Sequence, residues 1–153
     1  MHTDDLSLKP CILSLSRGPM SLPTYLEALN NWSAFLDWQE PVVWLRVFDH
    51  AALHAGSDRE ATLAGKAWMA RYKDAISRYV QGIIFLVPEV DYPKLSKMNM
   101  QKAFGAKGLV CADIEDAFTW INENTPEPGP FLEQADAIVA RVRSAGFPSR
   151  QPV

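Results

Sequence analysis

With 153 residues, of which 48% are hydrophobic and 22% charged, the chain has the apolar supply of one domain with a sizeable core and is short for two. A formal net charge of −3 provides no field for nucleic acid or an anionic membrane, so neither is expected as a partner. No run approaches about 18 uncharged apolar residues, and the acidic start MHTDDLSLKP lacks the basic segment of a secretory signal; a cytoplasmic protein with no transmembrane segment is expected.

In chain order, the N-terminus that holds His2 is expected to be disordered. Residues 11–15, CILSL, read as a short strand closed by the turn residues SRGP. From 21 to 39 the period becomes helical, with Leu22, Tyr25, Leu26, Leu29, Trp32 and Leu36 three and four apart and Ser21 or Thr24 as cap. Residues 42–48 are almost continuously apolar, as in a strand covered on both faces. A helix is expected over 58–80, with Leu63, Ala67, Ala70, Ala75, Ile76 and Val80 inward and Arg59, Lys66, Arg71, Lys73 and Arg78 outward.

Residues 83–88, IIFLVP, form the third strand, 91–105 a shorter irregular helix ending near Gly105, and 107–113 the fourth strand. Residues 113–124 make a last core helix whose acidic first turn suits the positive end of the helix dipole. A Pro-rich stretch, 125–130, then leads to an amphipathic segment with Phe131, Ala135, Ile138, Val139 and Val142 at helical spacing, suited to dock on its own domain or on a partner. The division expected is a domain over 1–124, then a linker and appended helix over 125–153. Strands alternating with helices imply a layered α/β fold with a mostly parallel sheet of four to five strands.

Several residues bear on function. Arg46 is a charge inside an apolar strand; it must meet an acid, reach the sheet edge or contact a ligand anion. Asp49 follows the second strand, Glu89 and Asp91 the third and Asp113 the fourth, where open α/β sheets place ligand groups. Convergence of Asp49, Asp91 and Asp113 would supply oxygen ligands for Mg²⁺. His50 and His54 lie four apart but lack a third zinc ligand in the local sequence, so they read as a loop pair without a role. Ser57 and Glu60 have capping-box spacing. Trp38, near the end of its helix, is expected to be exposed. Cys11 and Cys111, each within an apolar run, read as buried thiols.

The segments VVWLRVFD, QGIIFLVPE and KGLVCADIEDAFTWI, with Glu115-Asp116-Ala117-Phe118 opening the helix after the last strand, resemble the small α/β domain of the STAS superfamily. Its founding members are bacterial anti-sigma-factor antagonists. The resemblance spans roughly residues 11–124 and implies a four- or five-stranded sheet flanked by helices, no cofactor, and action through protein contacts; self-association as a homodimer is a further expectation for such a module. Some members are switched by phosphorylation at the start of the helix after a central strand. In the matching loop Ser57 is the one hydroxyl and thus the candidate acceptor, although the family's Asp-Ser motif is absent after Phe48.

The leading expectation is therefore a non-enzymatic bacterial regulatory module that binds a protein partner, with Arg46, Asp49, His50, Arg59, Lys66 and Arg71 as its contact surface. The alternatives are a small Mg²⁺-dependent hydrolase or phosphotransfer protein using the acidic cluster, and, as the resemblance to some STAS-like relatives implies, a carrier of a lipid or small apolar ligand in a pocket between helix and sheet.

Overall fold

Runs rich in Val, Ile and Leu, too apolar to leave either face in water, become the central strands of one five-stranded sheet. The computed structural model describes residues 1–54 and 58–147. The strands are β1 (His2–Asp5), β2 (Cys11–Ser16), β3 (Val42–Phe48), β4 (Val80–Leu86) and β5 (Gly108–Cys111), lying side by side in chain order. Pairings β2–β3, β3–β4 and β4–β5 are parallel, and β1 pairs antiparallel with β2, so the sheet is mixed.

The helices are α1 (Leu22–Leu36), α2 (His50–Leu53), α3 (Arg59–Tyr79), α4 (Tyr92–Leu95), α5 (Met100–Phe104), α6 (Ile114–Asn124), α7 (Gly129–Leu132) and α8 (Ala135–Ser144). Each parallel crossover joins adjacent strands, and crossovers keep one hand, so the helices within them all fall on the same face. Ile12, Trp44, Ile83 and Phe85 accordingly pack with Trp32, Phe35, Ile76 and Met100 from α1, α3 and α5. The opposite face is left for the chain after β5, where Leu13, Leu45 and Ile84 pack with Ile121, Phe131, Ile138 and Val142 from α6, α7 and α8. The amphipathic C-terminal segment therefore docks on its own sheet.

Three differences from the sequence expectation have physical causes. The terminus that holds His2 is not disordered: β1 completes the sheet edge because the Asp4 carboxylate accepts hydrogen bonds from Ser14, Trp32 and Asn31, partners 10 to 28 residues away. The inward stripe of α3 is Ala64, Trp68, Met69, Tyr72, Ala75 and Ile76, whereas Ala67 and Ala70 are exposed and Leu63 is 56% exposed. The large side chains claim the interior, and alanines carry too little apolar area to set a helix's rotation. Residues 91–105 form two short helices, α4 and α5, rather than one; Gly105, at φ 81°, ends α5 in the left-handed conformation glycine permits.

Capping follows the sequence at α1 and α6 but not at α3, where Asp58 rather than Ser57 caps. Ser21 caps α1, its hydroxyl accepting from the Thr24 amide at 3.3 Å, and Asp113 caps α6 by accepting from the Glu115 amide at 2.9 Å. At α3 the cap is Asp58, accepting from the Glu60 amide at 2.7 Å. Ser57, expected as cap and as candidate phospho-acceptor, lies outside the described residues. Among the described residues no helix is long and apolar enough to cross a membrane.

Candidate functional site

Alternation along β3 sends Val43, Leu45 and Val47 to one core and Val42, Trp44, Arg46 and Phe48 toward α1 and α3. The Arg46 side chain thus projects into the apolar layer without a salt bridge among the described residues, and its Nε is sealed from solvent without a hydrogen-bond partner. Its guanidinium is surrounded by aromatic faces, with ring centres at 4.8 Å for Trp32, 4.9 Å for Phe48, 5.2 Å for Trp44 and 5.4 Å for Phe85. Burial pushes its pKa down to about 10, partly offset by the attraction of Asp4 and Tyr25, so it remains a cation at neutral pH.

Asp4 does not neutralise Arg46 directly because its oxygens are already engaged. Oδ1 accepts from Ser14 Oγ at 2.6 Å and Trp32 Nε1 at 2.9 Å, and Oδ2 contacts Asn31 Nδ2 at 3.1 Å and His2 Nε2 at 2.9 Å. Trp44 Nε1 donates to Ser14 Oγ at 2.9 Å, so this network also holds two walls of the aromatic cage. Burial alone would raise the Asp4 pKa; hydrogen bonding and charge from His2, with Ser14 and Trp32, outweigh it and hold the carboxyl below its usual range.

Arg46 opens onto a cavity of about 480 Å³ between the sheet and α1, α3 and α5, lined by Tyr25, Trp32, Trp44, Trp68, Met69 and Phe104 among others. A second cavity of about 270 Å³ shares Tyr25, Arg46 and Thr62 with it. Lys66, exposed on α3, adds a second cation to the lining of the larger one. Gly65 makes room for this arrangement: a Cβ there would stand 2.3 Å from the Tyr25 hydroxyl. An apolar, aromatic-walled volume with one unpaired cation at its floor suits a ligand with an apolar body and an anionic group.

At the carboxyl end of the strands a different cluster forms. Asp91 is 7% exposed; His54 Nε2 lies 2.7 Å from its Oδ1, and His50 Nδ1 lies 3.1 and 3.0 Å from its two oxygens. The two imidazoles lie side by side, ring centres 4.2 Å apart. Burial acts to raise the Asp91 pKa, but hydrogen bonds from His54 and His50 bring it below the usual value.

The acids expected to converge are otherwise occupied. Asp49 caps α2 by accepting from the Ala52 amide at 2.8 Å and also accepts from the Gly18 amide at 3.0 Å, and Asp113 caps α6. Glu89 is exposed. Among the described residues, the group of three within metal-ligand reach is His50, His54 and Asp91, not Asp49, Asp91 and Asp113. His50 and His54 are therefore no idle loop pair: His50 begins the short helix α2, and both meet the same carboxylate.

Arg59, Lys66 and Arg71 lie exposed on α3, and Trp38 is half-buried under Lys9, whose Nζ is 4.1 Å from its ring centre. Both cysteines are buried free thiols; burial pushes Cys111 up to about 12 and Cys11 further upward. The aromatic cage escaped sequence reasoning because its rings come from α1, β3 and β4, although a lone Arg among buried β3 residues was its signal. Asp91 as partner of the histidines escaped because 37 and 41 residues separate them. No family model, curated protein or solved structure matches this chain.

Proposed function

We propose that this chain is a non-enzymatic binding module of STAS-like architecture that takes a small molecule with an apolar or aromatic body and one anionic head in the cavity beneath α1 and α3. The observation that carries this reading is Arg46: a cation without an acid partner, enclosed by four aromatic rings, at the floor of a cavity of ligand size. An arginine fork is shaped for two parallel bonds to a carboxylate or phosphate, and such bonds strengthen where water is excluded. A bound anion would supply the partner that the fold withholds, while the aromatic walls take the body of the ligand.

Three of the lining residues, Trp32, Trp44 and Trp68, make binding visible in the intrinsic fluorescence. Titration with 3-phenylpropionate is expected to quench it, and titration with the neutral 3-phenylpropionamide to do so at least about tenfold more weakly, the equivalent of one net charge-assisted hydrogen bond. Equal affinity for acid and amide, or no response to either, would defeat the reading. Native mass spectrometry of freshly purified protein provides a second check by revealing a retained acidic ligand.

A protein-partner role, with self-association as one form of it, is proposed for the outer side of α3. Its footing is the resemblance to STAS domains together with the exposed cations Arg59, Lys66 and Arg71, which lie on the same helix as the 56% exposed Leu63. Light scattering and crosslinking of the wild type against Leu63→Asp test it; identical profiles for the two proteins would remove this surface from consideration.

A further inference from the structure

Asp49 starts α2 by accepting from the Ala52 amide, which makes His50 the first residue of one helical turn and His54 its C-terminal cap. Both imidazoles then reach the loop after β4, where Asp91 is buried to 7% exposure while the histidine side chains are 61% and 50% exposed. One imidazole would satisfy that carboxylate; two converge on it, with nitrogen-to-oxygen distances of 2.7 to 3.1 Å. All three ligand atoms lie within 4.8 Å of one another.

We propose that His50, His54 and Asp91 bind one divalent transition-metal ion of the Zn²⁺ type, at a site separate from the Arg46 cavity. Zinc bonds of roughly 2.1 Å place neighbouring ligand atoms about 3.4 Å apart in a tetrahedron. The nitrogen-to-oxygen pairs are already slightly closer than that, and exposed imidazoles are free to turn so that the third pair matches. Two nitrogens and one carboxylate oxygen suit Zn²⁺, Co²⁺ or Ni²⁺ rather than Mg²⁺ or Ca²⁺, which take oxygen ligands. The exposed side leaves the remaining coordination position to water.

The test is calorimetry on the full chain after chelator treatment, titrated with Zn²⁺ and, separately, with Mg²⁺. One Zn²⁺ per chain and no heat from Mg²⁺ are expected, with a Co²⁺ adduct absorbing in the visible. Asp91→Asn and His54→Ala should each weaken Zn²⁺ binding by more than about tenfold, the least that loss of even a supporting partner costs. His2→Ala, at the other histidine, should leave it unchanged. The His54 side chain is half exposed, so that variant tests ligation without endangering the fold. No binding at one equivalent, or His54→Ala and Asp91→Asn variants that bind as tightly as wild type, would overturn the site.

Discussion

The guanidinium carbon of Arg46 stands 4.8 Å from the centre of the Trp32 ring, and the Trp32 indole is itself held by the hydrogen bond from its Nε1 to Asp4 at 2.9 Å. The acid that would ordinarily neutralise the arginine instead fixes the ring that shields it. Arg46→Met should therefore raise the stability of the protein, because an apolar side chain of similar volume replaces a charge whose Nε is sealed without a partner. The same variant should lose the preference for 3-phenylpropionate over its amide. Thermal melts and the fluorescence titration read the two effects side by side, and a lower Tm would show that the cage stabilises the cation fully.

Gly65 offers a test of cavity shape. Alanine in a helix interior is favoured over glycine by about 1 kcal/mol, but here its Cβ would meet the Tyr25 hydroxyl at 2.3 Å. Gly65→Ala alone should show little or none of that gain and should weaken ligand binding as Tyr25 shifts. On a Tyr25→Phe background, where the nearest ring carbon is 3.4 Å from the new Cβ, the gain should return. Denaturant titration of the four proteins in the cycle checks the predicted coupling.

Acid should attack the β1 edge. The folded Asp4 carboxyl lies below its usual range, so it contributes stability that is present above the ordinary carboxylate pKa of about 4 and is lost as pH falls through the folded value. Asp4→Asn should cost about 1–3 kcal/mol at pH 7, since one amide oxygen cannot replace two carboxylate oxygens toward His2, Ser14, Asn31 and Trp32. It should also flatten the stability profile below pH 4. Chemical denaturation from pH 2.5 to 7 reads both.

The C-terminal helix should unfold with the sheet rather than before it. Ile138 is fully buried in the core shared with Leu13, Leu45 and Ile84, so Ile138→Ala should cost about 2–5 kcal/mol in one cooperative transition. Leu63→Ala, at a 56% exposed position, should change stability by no more than about 0.5 kcal/mol. A separate early transition in the Ile138 variant would mark α8 as an independent unit.

The strands and long helices were legible in the chain because their signals are local. The runs at 11–15, 42–48 and 83–88 match β2, β3 and most of β4, and Ser21 and Asp113 cap the helices they precede. The face of α3 was less legible, because exposed Leu63 and inward Ala64 are neighbours and only the fit of Trp68 and Met69 against the sheet sets the rotation. β1 was invisible for a related reason: HTDD has no apolar pattern, and its place is secured by partners on β2 and α1.

Sequence alone determined that this is an α/β chain with buried strands, a charge at Arg46 that had to find some partner, two buried cysteines and two histidines one helical turn apart. Tertiary structure decided what those features became. Arg46 met four rings and a cavity instead of an acid, and the histidines gained Asp91 from the loop after the neighbouring strand. The reason is distance along the chain: hydrophobic period and capping act within a few residues, whereas a cage or ligand set is assembled across a sheet whose register joins positions as far apart as Ser14, Arg46 and Phe85.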